Sequence, residues 1–316
     1  MSAAGPSALV GGTAPGPGSV RGLPVLRTAS VLVLALVGGC AEGLRGNEAP
    51  TAATWQMLGA VDWTVAAGRE RFICGITTVS DDVFVRRLEP IGSPGSHHVL
   101  ATLAVGGEDG SFDCTAGTLS DSLLFASGVN SGPLELPEGV AMAVPAGTRV
   151  LTNAHVLNLT NAPLSGTSGV RAETVPADDV LVEAEMILAG TTRFSLPAHM
   201  ESSASGRCRF REDATVTHLW PHMHLLGVHM RVTHHGRDGA RILLDTPFQF
   251  DAQGHHRVGP VEVLAGDSLE VTCTWNNGSG QVVGFGDSTL DEMCFAGVVR
   301  FPAAHEGLYC EEIPSP

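Results

Sequence analysis

Two histidines one residue apart, His222 and His224, lie in the run Pro-His-Met-His-Leu-Leu-Gly. Side chains at positions i and i+2 of a β-strand project from the same face, so two imidazoles with this spacing can chelate one metal ion. The run predicts a metal site at the end of a strand, against the alternative of two exposed histidines on a polar sheet face. His218 and Trp220 continue that face, where they would either support the site or simply pack.

A methionine further along the chain indicates which metal this site would hold. Met293 lies among polar residues in the run Asp-Glu-Met-Cys, next to a cysteine that we expect to be in a disulfide. A thioether is a soft ligand that suits Cu(I), whereas zinc and iron sites favour imidazole, thiolate and carboxylate. Met293 alone would be interpreted as core packing. Together with His222 and His224, it predicts copper that cycles through Cu(I).

A second set of histidines lies in the first half of the chain. His97 and His98 are adjacent and follow the run Gly-Ser-Pro-Gly-Ser. Adjacent residues of a regular strand point to opposite faces, so both can bind one ion only where the chain is irregular, as the Pro-Gly approach would permit. His155 could complete a three-histidine site. Each of these histidines, taken singly, also fits a loop or a buried, hydrogen-bonded position.

The composition restricts the partners of this chain. It has 316 residues, of which 43% are hydrophobic and 16% charged, as in globular proteins. Its formal net charge is −15, and it contains no lysine. Phosphate binding requires a basic face, so nucleic acid is excluded as a partner. Thirteen histidines are many for this length and invite a metal-binding interpretation, which composition alone does not establish.

The first forty residues have the pattern of an export signal. Arg21 and Arg27 precede an apolar run at 29–39, which is too short to span a membrane as a helix and ends in Val-Gly-Gly-Cys at Cys40. This ending resembles a bacterial lipobox, in which the cysteine becomes the lipidated first residue of the mature protein. We therefore expect residues 1–40 to be a signal segment and residues 41–53 a flexible tether. The protein would be a cell-envelope lipoprotein held on the membrane by its lipid, in the outer membrane or facing the periplasm, with an uncleaved anchor as the alternative.

The remaining cysteines are even in number, which in an exported chain indicates three disulfides because the compartment is oxidising. They are Cys74, Cys114, Cys208, Cys273, Cys294 and Cys310. The sequence alone allows fifteen connectivities.

Short apolar runs predict an all-β fold. They are residues 71–74, 98–105, 180–188, 210–220, 228–233, 261–264, 268–275 and 296–301. Gly, Pro, Asn and Asp separate them at the cadence of a sandwich or barrel. The turns at 144–148 and 264–268 have nearly the same residue pattern, which suggests two related sandwiches, one over residues 54–188 and one over residues 189–316.

The order of these motifs resembles the copper type II, ascorbate-dependent monooxygenases, a family that includes the peptidylglycine α-hydroxylating and dopamine β-monooxygenases. The resemblance covers residues 55–310 and depends on the histidines at 97–98, His155, the run at 222–227 and the run at 291–294. It implies two consecutive antiparallel jelly-roll β-sandwich domains. Each domain would hold one copper, and the two coppers would face each other across a solvent-filled cleft.

Residue by residue, the resemblance implies two copper sites and three disulfides. His97, His98 and His155 would hold the electron-transfer copper, and His222, His224 and Met293 the dioxygen-activating copper. The implied disulfides are Cys74–Cys114, Cys208–Cys310 and Cys273–Cys294, the last of which would fix the loop that carries Met293. Ascorbate or another one-electron reductant is the implied co-substrate, and dioxygen would hydroxylate a C–H bond of a small molecule, chemistry that side chains alone cannot supply.

The sequence departs from the peptide-amidating members of the family. In those proteins an arginine, an asparagine and a tyrosine near the motifs hold the peptide carboxylate. Here Trp220, Phe295 and a residue near Gly297 take those places. We therefore expect a less polar substrate and no peptide amidation.

Three other functions are compatible with parts of this pattern. A non-enzymatic copper-binding lipoprotein that stores, buffers or delivers the ion would have the same fold and ligands. A cupin-type iron or zinc dioxygenase would place a glutamate shortly after the His-x-His motif, where this chain has Val228. An adhesive or structural β-sandwich would bind no copper.

Overall fold

The computed structural model of this protein describes residues 54–104, 106–120, 122–129, 131–310 and 312–313. The expected signal segment 1–40 with Cys40, and the expected tether 41–53, lie outside the described residues.

The described residues form twenty-two strands and one 3-10 helix, at Ala177–Asp179. The strands are β1 (Thr54–Val65), β2 (Glu70–Thr78), β3 (Val83–Gly92), β4 (Ser96–Ala104), β5 (Gly110–Asp113), β6 (Ser122–Ser127), β7 (Leu134–Glu135), β8 (Val140–Val144), β9 (Arg149–Leu157), β10 (Leu164–Val175), β11 (Val182–Glu183), β12 (Glu185–Gly190), β13 (Ser195–Leu196), β14 (Met200–Arg209), β15 (Ala214–His222), β16 (Gly227–Gly236), β17 (Gly239–Pro247), β18 (His256–Val263), β19 (Ser268–Asn277), β20 (Val283–Gly284), β21 (Phe295–Phe301) and β22 (Glu312–Ile313). The predicted all-β class is confirmed. The apolar run at 180–188 is divided between β11 and β12, and the run at 210–220 enters its strand only at Ala214.

The largest sheet has the strand order β18-β15-β21-β12-β6-β4-β9-β2-β5. Its first three strands come from the second half of the chain and its last five from the first half. Between them, β12 pairs with β21 along its whole length and with β6 at one position, Met186 opposite Leu123. This continuous sheet brings the strands of the first histidine group, β4 and β9, into the same layer as β15, which ends at His222.

Two further sheets lie against this layer. One has the order β1-β10-β3-β8-β11 with β7 paired to β3, and its strands β1 and β10 pack on β2, β4 and β9. The other has the order β17-β16-β19-β14-β22, and its strands β14 and β19 pack on β12. Buried apolar side chains form two clusters between the layers. One cluster comes mainly from the strands up to β12, and the other from β12 onward.

The same turn occurs twice in the described part of the chain. Asn158 follows β9, and Asn277 ends β19; each side-chain amide donates hydrogen bonds to three backbone carbonyls. Each side-chain oxygen accepts the backbone N–H of the residue two positions later, Thr160 or Ser279. Both strands are flanked by two antiparallel neighbours, β2 and β4 for β9, and β14 and β16 for β19. The division at 188/189 itself stays a prediction.

The three disulfides implied by the resemblance are present. They join Cys74 to Cys114, Cys208 to Cys310 and Cys273 to Cys294. Disulfides of this kind indicate an exported protein. None of the residues that the structure describes forms a helix with the length and hydrophobicity that a membrane span requires.

Candidate copper site

The first histidine group is assembled by the pairing of β4 with β9. His98 lies directly opposite His155 in this antiparallel ladder. The register of β4 shifts between Ser96 and His98, so the chain is irregular at His97, as the adjacent pair requires. The three side chains are buried, and one ligand atom from each lies within 4.8 Å of the others. The structure therefore brings together all three predicted residues of this group.

The nitrogen atoms of this group fit a metal ion. Nδ1 of His97 and Nδ1 of His98 are 3.2 Å apart, and neither the Nδ1 of His155 nor the Nε2 of His97 has a hydrogen-bond partner in the described part of the chain. A buried polar atom left without a partner costs about 1–3 kcal/mol, which a metal–nitrogen bond would offset. Burial lowers the pKa of His97 to about 4, and it lowers the pKa values of His98 and His155. All three imidazoles are therefore neutral at pH 7, the form that binds metals.

Glu70 determines which nitrogen of His155 is free. Its Oε2 lies 3.0 Å from the Nε2 of His155 and 3.2 Å from the Oγ1 of Thr289. Because a carboxylate only accepts hydrogen bonds, Nε2 carries the proton and Nδ1 keeps its lone pair. Phe72 stacks on the same ring at a centroid distance of 4.2 Å. Sequence reasoning missed both residues, although β2, which carries them, pairs with β9.

The second histidine group is formed differently from the prediction. His222 is the last residue of β15, but His224 lies in the turn that follows, so the two do not share one strand face. The Nδ1–H of His222 donates to the Oε1 of Gln253 over 2.7 Å, and the Nδ1–H of His224 donates to the carbonyl of Asp291 over 3.0 Å. Both rings therefore keep Nε2 for a ligand.

The side chain of Gln253 is held in one orientation. Its Nε2 donates to the carbonyl of Phe250 over 2.9 Å, which leaves its Oε1 to face His222. Trp220 stacks on His222 at 4.9 Å and donates its Nε1–H to the backbone carbonyl of Gln253. Burial, followed by the neighbouring His224, lowers the pKa of His222 to about 3. Of the two predicted supporting residues, Trp220 contacts the ring of His222, whereas His218 bonds to the hydroxyl of Thr217.

Met293 reaches the same cavity as His222 and His224. It is half-buried, and its neighbour Cys294 is tied to Cys273 of β19. The cavity has a volume of about 200 Å³. Apolar side chains make up most of its wall, among them Leu100, Leu119, Leu188, Phe250, Phe285 and Phe295. Asp287 is the only Asp, Glu, Arg or Lys among the described residues that line it.

The two histidine groups are adjacent. The ring of His98 lies 6.2 Å from the ring of His222, and Phe250 stacks on His97 at 4.1 Å while its ring lies 6.4 Å from that of His224. His98 also lines the same cavity as His222 and His224, so both groups border one space.

The fold and the site define an all-β, sandwich-like protein with converging imidazoles suited to a transition metal. Residues 182–315 match the family model described as copper type II ascorbate-dependent monooxygenase, C-terminal domain. The match supports this family and includes His222, His224 and Met293. The first histidine group lies outside the matched residues, so its assignment depends on geometry. No curated protein matches the chain.

Solved structures with some similarity to this chain include viral capsid proteins. One is the structure of infectious bursal disease virus Gx strain, with 11% identity over 83% of this chain and 75% of that chain and a TM-score of 0.19. Another is the infectious bursal disease virus VP2 subviral particle, with 10% identity over 80% of this chain and 73% of that chain and a TM-score of 0.19. At these TM-scores neither structure bears on fold or function.

Proposed function

We propose that this protein is a copper-dependent monooxygenase that hydroxylates a C–H bond of a small substrate, using dioxygen and a one-electron reductant such as ascorbate. The observation that carries the proposal is the convergence of His97, His98 and His155, whose buried ligand atoms lie within 4.8 Å of one another. The match of residues 182–315 to the copper monooxygenase family supports it.

Each group has its own role in this proposal. His97, His98 and His155 would hold the copper that receives electrons, and His222, His224 and Met293 the copper on the dioxygen side. Copper, when bound, supplies the one-electron chemistry that activates dioxygen, which side chains cannot do. Glu70 and Gln253 orient His155 and His222 so that one lone pair of each imidazole is free, and such partners typically raise metal affinity.

The cavity beside the second group would bind the substrate. Its wall includes Trp220 and Phe295, which stand where the peptide-amidating enzymes have carboxylate-binding residues. An apolar wall excludes water and favours an apolar substrate. With a volume of about 200 Å³, the cavity suits a small molecule.

Metal analysis and oxygen consumption test the proposal together. The purified protein, loaded with copper, should contain two coppers per chain. With ascorbate it should couple oxygen uptake to hydroxylation of a small apolar probe such as ethylbenzene, and phenylacetate should react more slowly. Two coppers without coupled hydroxylation of any probe in a panel of small molecules would favour the alternative, a copper lipoprotein for storage, buffering or delivery. A protein that takes up no copper would refute both.

We further propose that the exported protein is held on the cell envelope by a lipid on Cys40. The lipobox-like ending of the apolar run supports this, and the disulfides fit an oxidising compartment. Replacing Cys40 by alanine should move the protein from the membrane fraction to the soluble fraction. A Cys40→Ala protein that stays in the membrane fraction would contradict the lipid anchor.

A further inference from the structure

A single buried carboxylate connects the separate chain segments of the second group. Glu292 is fully buried, and its Oε2 accepts the backbone N–H of His224 over 2.9 Å and the indole N–H of Trp275 over 2.9 Å. The same oxygen accepts the backbone N–H of Met293 over 3.3 Å. Its other oxygen, Oε1, accepts the backbone N–H of Leu226 over 2.6 Å. The carboxylate is thus surrounded by N–H donors from three places in the chain.

The turn that carries His224 depends on this carboxylate. The ladder of β15 ends at His222, so residues 223–225 have no partner in a strand ladder. The N–H groups of His224 and Leu226 are instead directed at Glu292, and hydrogen bonds to a charged acceptor are stronger than those between neutral groups. The carbonyl of Leu226 accepts from Asn276 of β19, which adds a second attachment.

The loop that carries Met293 is fixed to the same strand, β19, at two points. Trp275 of β19 donates to Glu292, and Cys273 of β19 is bonded to Cys294. The carboxylate and the disulfide therefore hold the residues on either side of Met293. One side chain thus relates the position of His224 to that of Met293.

We propose that Glu292 is a positioning residue of the dioxygen-side copper site, which sets the distance between the ligands His224 and Met293. This inference depends on the proposed function in so far as these two residues bind copper. It adds a residue that contacts neither the substrate nor the metal. If Glu292 has this role, its loss should weaken copper binding at the second site, including the contact of the copper with the Met293 sulfur. Copper binding at the first histidine group should be unchanged.

The test compares two variants of the whole protein with a matched control. Glu292→Gln keeps the side-chain size but replaces one accepting oxygen by an amide that faces N–H donors. Trp275→Phe keeps an aromatic ring at this buried position but removes the indole donor and part of the ring volume, and it covers the case in which Glu292→Gln does not fold. The control is Glu185→Gln, because Glu185 also accepts two backbone N–H groups, from Ala304 and His305, and pairs with Arg300.

Copper binding and X-ray absorption of the Cu(I) protein give the expected results. Glu292→Gln should bind the first copper as the wild type does and the second at least about tenfold more weakly, with a weakened sulfur contribution in the absorption spectrum. Trp275→Phe should also lower the affinity for the second copper and the sulfur contribution, but by a smaller amount than Glu292→Gln. Glu185→Gln should retain both coppers and the sulfur signal even if it lowers the unfolding temperature.

Amide hydrogen exchange of the metal-free protein separates this inference from the copper assignment. Exchange at His224 and Leu226 should be faster in Glu292→Gln than in the wild type and unchanged in Glu185→Gln. Unchanged exchange at these two amides would overturn the positioning role, whether or not the wild type binds copper. Faster exchange with unaltered copper and sulfur signals would also overturn it, since the ligands would then be placed without Glu292. A wild type that binds no copper would refute the proposed function instead.

Discussion

Replacing Gln253 by leucine should weaken copper binding at the second site, formed by His222, His224 and Met293, and leave copper binding at the first site unchanged. Gln253 is buried and accepts the Nδ1–H of His222 over 2.7 Å. Leucine is of similar size but cannot accept, so the imidazole proton would lose its partner and the ring would be free to rotate or change tautomer. The backbone of residue 253 should stay in place, because its carbonyl accepts from Trp220 and Ser131 independently of the side chain.

Two general magnitudes apply to this contact between Gln253 and His222. A buried N–H without an acceptor costs about 1–3 kcal/mol. Loss of a partner that orients a metal-ligating histidine typically lowers metal affinity 10–100-fold, which is about 1.4–2.7 kcal/mol. The two estimates agree, so we expect the second copper of Gln253→Leu to bind about 10–100-fold more weakly. The first copper should be unaffected.

Competition with a Cu(I) chelator measures both affinities in one titration, and the sulfur contribution to X-ray absorption identifies the copper beside Met293. Gln249→Leu is the matched control, because Gln249 lies exposed on the same segment and should leave both affinities unchanged. Equal affinities for the second copper in wild type and Gln253→Leu would refute the reasoning that Gln253 orients His222.

Three further perturbations have defined outcomes. Glu70→Leu removes the acceptor for the Nε2–H of His155, so the first copper should bind about 10–100-fold more weakly in the same titration, and an unchanged value would exclude a role for Glu70. Met293→Ile should leave the unfolding temperature of the metal-free protein nearly unchanged, remove the sulfur signal and abolish turnover; full activity would exclude Met293 as a ligand. Burial lowers the pKa values of His218 and His255 to about 4. The unfolded chain therefore binds more protons below pH 6.5, and the metal-free protein should lose stability as the pH falls from about 6.5 to about 4, by up to roughly 3 kcal/mol per group. Urea unfolding at pH 7.5 and pH 5.0 measures this loss of stability, and His218→Gln should reduce the difference between the two pH values. Equal stability of the wild type at both pH values would contradict the prediction.

The first histidine group could be predicted from the sequence because strand geometry restricts where two adjacent histidines can bind the same ion. Adjacent histidines can share an ion only at an irregular point in a strand, and the register shift before His98 is such a point. The direct pairing of His98 with His155 could not be predicted, since it depends on which strands neighbour each other. The same holds for Glu70, which reaches His155 only because β2 pairs with β9.

The second group shows where spacing misleads. The His-Met-His run predicts two ligands on one strand face, but the strand ends at His222 and the next turn is shaped by Glu292, far away in sequence. Gln253 lies 31 residues after His222, in an irregular segment. Tertiary hydrogen bonds, not local periodicity, decide these positions. The residue types were nevertheless informative, because His222, His224 and Met293 border one cavity.

The contact between the two groups also affects how strongly their imidazoles hold protons. His98 lies within 6.2 Å of His222, and after burial, its neighbours His155, His222 and His97 contribute to lowering its pKa. Two protonated imidazoles in these buried groups would repel each other strongly, so protonation of one opposes protonation of its neighbours. Burial is the larger cause of the lowered pKa values, and this repulsion adds to it. Because protons compete with metal ions for the same lone pairs, burial of the imidazoles leaves these lone pairs available to a metal ion near neutral pH.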